Sequence, residues 1–149
     1  MFVDASAVVA ILNEEDLAEA LMALIAEHGG PFYVSPLVRF EASVALARAK
    51  ADGKRSRAEI LNLAISAVDD FIGALDAEEV SVTTEIGREA LDAGKSVGKF
   101  VGHPADLNFG DCFAYACVKA KRTSLLFKGH DFSLTDVNDG FDLPAAGQS

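Results

Sequence analysis

Residues 1–12, MFVDASAVVAIL, read as a short apolar strand, Met1-Phe2-Val3, that stops on Asp4 and turns into a helix over Ala7 to Leu12. The order strand then helix recurs along the chain, without an internal sequence repeat. Glu14 to Glu27 favours a helix closed by Gly29-Gly30, Phe32 to Val34 is a second short strand, and Ser35-Pro36 has the cap-then-proline form of a helix start leading into Leu37 to Lys50. After a break at Gly53, Arg57 to Leu75 is amphipathic, Val80 to Val82 reads as a third strand, and Thr84 to Ala93 as a helix capped by Thr83 or Thr84. A glycine-containing loop from Gly94 to Phe109 precedes a helix over Asp111 to Lys121 and a strand over Ser124 to Phe127. An apolar pair near Val137 offers one further edge strand. Strands separated by helices pair in parallel through right-handed crossovers. The expected fold is α/β, a three-layer α/β/α sandwich around a central parallel sheet of four to five strands.

A chain of 149 residues with 50% hydrophobic content supports one domain with one core. Residues 1–143 are expected to form it, with 144–149 a flexible C-terminal tail. The formal charge of -10 repels a phosphate backbone, so any contact with nucleic acid must be local. Candidate basic patches are Arg48, Lys50, Lys54, Arg55 and Arg57; Lys95 and Lys99; and Lys119, Lys121, Arg122 and Lys128. The amino terminus carries no basic residue ahead of its apolar stretch, and Asp4 interrupts that stretch, which argues against a secretory signal. No apolar run approaches the roughly 18 residues of a membrane span. A cytoplasmic protein without membrane contact is expected. Cys112 and Cys117 fall five positions apart on one helix, where their side chains diverge, so they read as core residues rather than a disulfide or a metal pair.

Four acids carry the chemistry. Ligand sites in open parallel sheets form beyond the carboxyl ends of the strands, where Asp4 stands. Asp4 also suits a plain helix cap, as does Ser6. The helical neighbours of Glu41 at three and four positions are Leu37, Val38, Val44 and Ala45, all apolar. A carboxylate there needs either a basic partner, for which Arg39 and Arg48 are candidates, or a metal. Asp111 opens a helix and has capping-box spacing with Asn108. Asp131 follows the strand Leu125-Leu126-Phe127 and the turn Lys128-Gly129-His130. Four acids converging on one crevice repel each other unless a cation joins them, and an all-carboxylate oxygen site suits Mg2+ or Mn2+. Such ions share their coordination with phosphate oxygens, which points to phosphodiester chemistry. His28, His103 and His130 form no arrangement resembling a catalytic triad.

The segments MFVDASAVVAIL, VSPLVRFEASVALAR, GHPADLNFGDCFAYACVKA and LLFKGHDFSLTDV resemble, in order, the VapC-type toxins of the PIN-domain ribonuclease family. They span Met1 to about Val137. The resemblance implies that Asp4, Glu41, Asp111 and Asp131 are the catalytic and metal-binding acids, with Ser6 and Asn108 in support. Some relatives carry a further acid where His130 stands, so here the fourth position rests on Asp131. The implied activity is hydrolysis of RNA by an activated water, with no protein nucleophile. The family habit also implies a cognate VapB-like antitoxin and a homodimer, for which the helices over Leu17 to Ile25 and Ala58 to Ile72 offer apolar faces. A haloacid-dehalogenase reading fails because Ser6 stands where that chemistry needs a second aspartate. The serious alternative is a catalytically inactive PIN-like module serving as a binding platform.

Overall fold

The computed structural model describes residues 1–137. Its sheet has four parallel strands, β1 (Phe2–Val3), β2 (Tyr33–Val34), β3 (Glu78–Glu79) and β4 (Leu125–Leu126), in the order β3-β2-β1-β4. Phe2 stands opposite Tyr33 on one side and Leu125 on the other. Between the strands run α1 (Ala5–Leu12), α2 (Ala18–Glu27), α3 (Pro36–Ala49), α4 (Arg57–Ala74), α5 (Thr84–Val97) and α6 (Phe109–Lys121). Right-handed crossovers from β1 through β2 to β3 put α1 to α4 on one face, and the return from β3 to the far side of β1 puts α5 and α6 on the other. The helices pack accordingly, α3 against α4 and α1, and α5 against α6. This is the expected three-layer α/β/α arrangement.

The core gathers Phe2, Val3, Val8, Leu21, Val34, Val38, Val68, Leu107, Leu126 and Phe132, all buried. Each such side chain contributes about 1.5–3 kcal/mol by leaving water. Because the strands are only two residues long, most of that core is helix packed on helix. Cys112 and Cys117 are buried and free, as the sequence suggests. Among the described residues no helix is long and apolar enough to cross a membrane.

Of the boundaries that differ from the sequence expectation, four have a clear local reason. The second helix begins at Ala18 rather than Glu14, because Glu14 has φ 52 and ends α1 in a left-handed turn. The third strand is Glu78–Glu79 rather than Val80 to Val82. It lies at the sheet edge, where glutamates stay in water while their backbone pairs: Glu78 N–H donates to Phe32 O at 2.9 Å and Val80 N–H to Val34 O at 2.8 Å. Helix α5 passes through Gly94 and stops at Val97, where Gly98 turns to extended backbone (φ -80, ψ 157) so close to Gly94 that a Cβ would lie 2.3 Å from its carbonyl oxygen. Helix α6 opens at Phe109 with Asn108 as its cap. Val137 is buried in a turn, so the edge strand expected near it is not formed among the described residues, while residues 138–143 and the 144–149 tail lie outside them.

Candidate active site

The strand order reverses at β1, which has β2 on one side and β4 on the other, and open parallel sheets bind ligands at such a switch point. Asp4 is the residue immediately past the carboxyl end of β1. Its N–H donates to Leu126 O at 2.9 Å, tying it to β4, and its carboxylate caps α1 by accepting from Ser6 N–H at 2.9 Å and Ser6 Oγ at 2.5 Å. Ser6 Oγ in turn accepts from Lys128 N–H at 3.0 Å. Capping and site-facing roles therefore coexist in Asp4, which is 5% exposed yet lines an open cleft of about 290 Å³.

Glu41 and Asp111 line the same cleft, together with Ser6 and Asn108. Ser35 Oγ accepts from Val38 N–H at 3.2 Å and so fixes the start of α3 and the azimuth of Glu41. Asp111 is held by a capping box in which Asn108 Oδ1 accepts from Asp111 N–H, and Asp111 Oδ2 from Asn108 N–H, both at 3.0 Å. Neither arginine considered for Glu41 reaches it. Arg39 is paired with Asp69 and with Glu79 at 2.9 Å, and Arg48 lines a separate groove between α3 and α4. Among the described residues Glu41 has no ion pair.

Gly110 was not singled out by the sequence, and it shapes the site. A Cβ there would stand 2.0 Å from Glu41 Oε1 and 2.5 Å from Oε2, so the backbone of α6 lies directly against the carboxylate. Its φ is not positive, so close approach alone explains it. The available signal was a glycine in the first turn of a helix, where it costs about 1 kcal/mol relative to alanine. Glu15 and Lys128 also line the cleft, paired with each other.

Asp131 is placed differently. It is exposed, opens the 3-10 turn Asp131–Leu134, and stands beside the cleft rather than in its lining. Its charge nevertheless reaches Asp4 and Asp111 and raises the pKa of both. Of the histidines, His28 bonds the Met1 amine at 3.1 Å, and His103 Nδ1 accepts from Ala105 N–H at 3.0 Å, both away from the cleft lining.

The acids titrate as a crowded group. Burial first, then the charges of Asp4 and Asp111, push Glu41 up to about 7. Burial raises Asp111 to about 6, aided by Asp4, Asp131 and Asp106 and opposed by the Asn108 N–H. Burial also raises Asp4, against the Ser6 hydrogen bonds. Among the described residues, no three or more His, Cys, Asp or Glu side chains form a group that could hold a metal ion by themselves. The donor set instead fits a hard cation that keeps part of its water shell: oxygen-only, mutually repelling and open to solvent.

The family model for the PIN domain matches residues 1–138. The chain is 49% identical over 139 residues to a VapC ribonuclease of Rhizobium meliloti (strain 1021), covering 91% of this chain and 98% of that one. It is 34% identical over 140 residues to Ribonuclease VapC42 of Mycobacterium tuberculosis (strain H37Rv), covering 92% and 96%. Its fold is similar to the crystal structure of Mycobacterium tuberculosis VapC20, described as a Sarcin-Ricin loop cleaving toxin, with a TM-score of 0.65 at 18% identity over 89% of this chain and 92% of that one.

Proposed function

The chain belongs to the PIN-domain family as a VapC-type ribonuclease, and from that premise we propose that it cuts RNA phosphodiester bonds at the cleft of Asp4, Glu41 and Asp111 with the help of a divalent cation, Mg2+ or Mn2+. The observation that carries the reading is the convergence of these three carboxylates on one cleft with none of them ion-paired among the described residues. When bound, the cation supplies Lewis acidity and charge compensation to the phosphate under attack. Asp4, Glu41 and Asp111 hold it directly or through its waters. Ser6 keeps one Asp4 oxygen engaged and turns the carboxylate toward the cleft, while Asn108 does the same for Asp111. Asp131, beside the cleft, adds negative charge and orients water at its edge. The attacking water gives a proton to a nearby carboxylate as its oxygen bonds to phosphorus, the P–O bond to the departing ribose oxygen breaks, and that oxygen takes up a proton from solvent water.

As the toxin of a type II toxin–antitoxin pair, the protein acts in the cytoplasm of its own cell and is restrained by a VapB-like antitoxin. Met22 on α2 and Leu63 and Ile65 on α4 are exposed apolar side chains, which supports those helices as surfaces for a second copy. The test incubates labelled RNAs with Mg2+, with a chelator, and with Asp4→Asn or Asp111→Asn. Cleavage that needs the cation and both aspartates is expected. Cation binding without any cutting across diverse RNAs would instead establish the inactive binding platform.

A further inference from the structure

Among the described residues Lys128 is the single cation lining the cleft, and it has no part in holding the metal or activating the water. Its main chain is anchored to the site, since its N–H donates to Ser6 Oγ and Ser6 Oγ donates to Asp4 Oδ2. Its side chain is 43% exposed, and its ammonium is paired with Glu15. Glu15 is itself placed by an unusual turn. Glu14 N–H donates to Ile11 O at 3.1 Å and Glu15 N–H to Ala10 O at 2.9 Å, the two bonds of a Schellman motif, with Glu14 in the left-handed position at φ 52 where glycine is the usual occupant. A side chain there costs on the order of 1 kcal/mol. That strain seats Glu15 on the cleft wall.

Electrostatics gives the pair a task. The chain carries a net charge of -10 and its cleft is walled by acids, so an approaching RNA backbone meets repulsion. Among the described residues the other cations found in ion pairs serve acids elsewhere: Arg39 with Asp69 and Glu79, Lys119 with Asp136, Lys121 with Glu78, Lys95 with Asp92, Lys99 with Asp106. An ammonium has three N–H donors, and a bond to Glu15 leaves others to offer.

Resting on the nuclease reading, we propose that Lys128, steadied by Glu15, is the substrate-positioning residue of the cleft, donating to a non-bridging phosphate oxygen of the RNA strand beside the bond to be cut. It acts on binding and register rather than on the reacting water.

The test compares wild type, Lys128→Met, which keeps the aliphatic stem and the anchoring N–H, and Lys128→Arg. Steady-state cleavage is read with Mg2+, and anisotropy of a labelled mixed-sequence RNA oligonucleotide is read against salt with no divalent ion. Lys128→Met is expected to raise KM about tenfold with kcat within about threefold. It should also lower the slope of log affinity against log salt by about 0.7, one phosphate contact on a single strand. Lys128→Arg should restore both. In a Glu15→Gln background the same loss of Lys128 should cost at least about threefold less, the signature of coupled residues. A loss in kcat at unchanged KM, an unchanged salt slope, or equal penalties in both backgrounds would overturn the assignment. The anisotropy arm needs no cleavage, so a wild-type protein that fails to cut defeats the nuclease reading while the salt slope still decides the fate of Lys128.

Discussion

Two of the charged side chains on helix α3 have opposite fates. Arg39 and Glu41 are two positions apart, roughly 200° around the helix, and so face different neighbours. Arg39 meets Asp69 of α4 and Glu79 of β3, so both acids of that group have a cationic partner supplied from within the chain. Glu41 meets Asp4 and Asp111, and that group is left uncompensated. One cluster completes the fold. The other holds a charge imbalance that a ligand must relieve, and this separates a structural acid from a functional one more clearly than burial does.

The sharpest way to break the contrast is Glu41→Gln. Cleavage should fall about 10³-fold if the missing charge is what holds the cation and water in place. The same change should stabilise the cation-free protein at pH 8 by about 1–2 kcal/mol, allowing for solvent screening. The sign follows from the raised pKa: the folded state binds the Glu41 proton more tightly than the unfolded one, so the cost is absent below about 4.5, grows as pH rises, and is complete above about 7. Urea unfolding across that range measures it, and a stability gain that persists below pH 4.5 would contradict the repulsion.

Gly110→Ala comes next in size. The added methyl must displace the Glu41 carboxylate by an ångström or more, which is expected to lower cleavage about 10²-fold. Thermal stability should change little, because a flexible carboxylate gives way and alanine favours the helix. Cation affinity is the third measure. Protons on Glu41, near 7, and Asp111, near 6, compete with the ion, so Mn2+ binding by calorimetry should weaken at least about tenfold from pH 7.5 to 5.5. Arg39→Met gives the smallest effect: cleavage within about threefold of wild type and no more than about 1 kcal/mol of stability, the range of a partly exposed ion pair.

How far the sequence disclosed these two clusters follows from what each depends on. Asp4, Glu41 and Asp111 were legible because each sits at a position set by local rules: a strand end, an apolar helix face, a capped helix start. The partner of Arg39 was not, since Asp69 and Glu79 lie 30 and 40 residues away and only the packing of α3 on α4 and β3 brings them in. Glu79 was hidden twice over, because an edge strand written as Glu78-Glu79 lacks the apolar signature that Val80 to Val82 supplied a register too late. Gly110 marked a close approach whose partner is visible only in three dimensions. Glu15 was masked by a run that looks helical from Glu14 onward, until the left-handed turn at Glu14 redirects it. Asp131 was placed at the right strand end, but the 3-10 turn it opens holds it at the margin of the cleft.

The pairing of β1 with β4 bears on the timing of synthesis. Ser6 and Lys128 are 122 residues apart and share a hydrogen bond, and the cleft also needs Asp111 from α6. A nascent polypeptide emerging amino end first carries Asp4 and Glu41 long before it carries their complement. Until β4 has been translated and has slotted beside β1, the growing chain has no assembled cleft, so a nascent chain that carries only its amino-terminal strands cannot yet cut RNA.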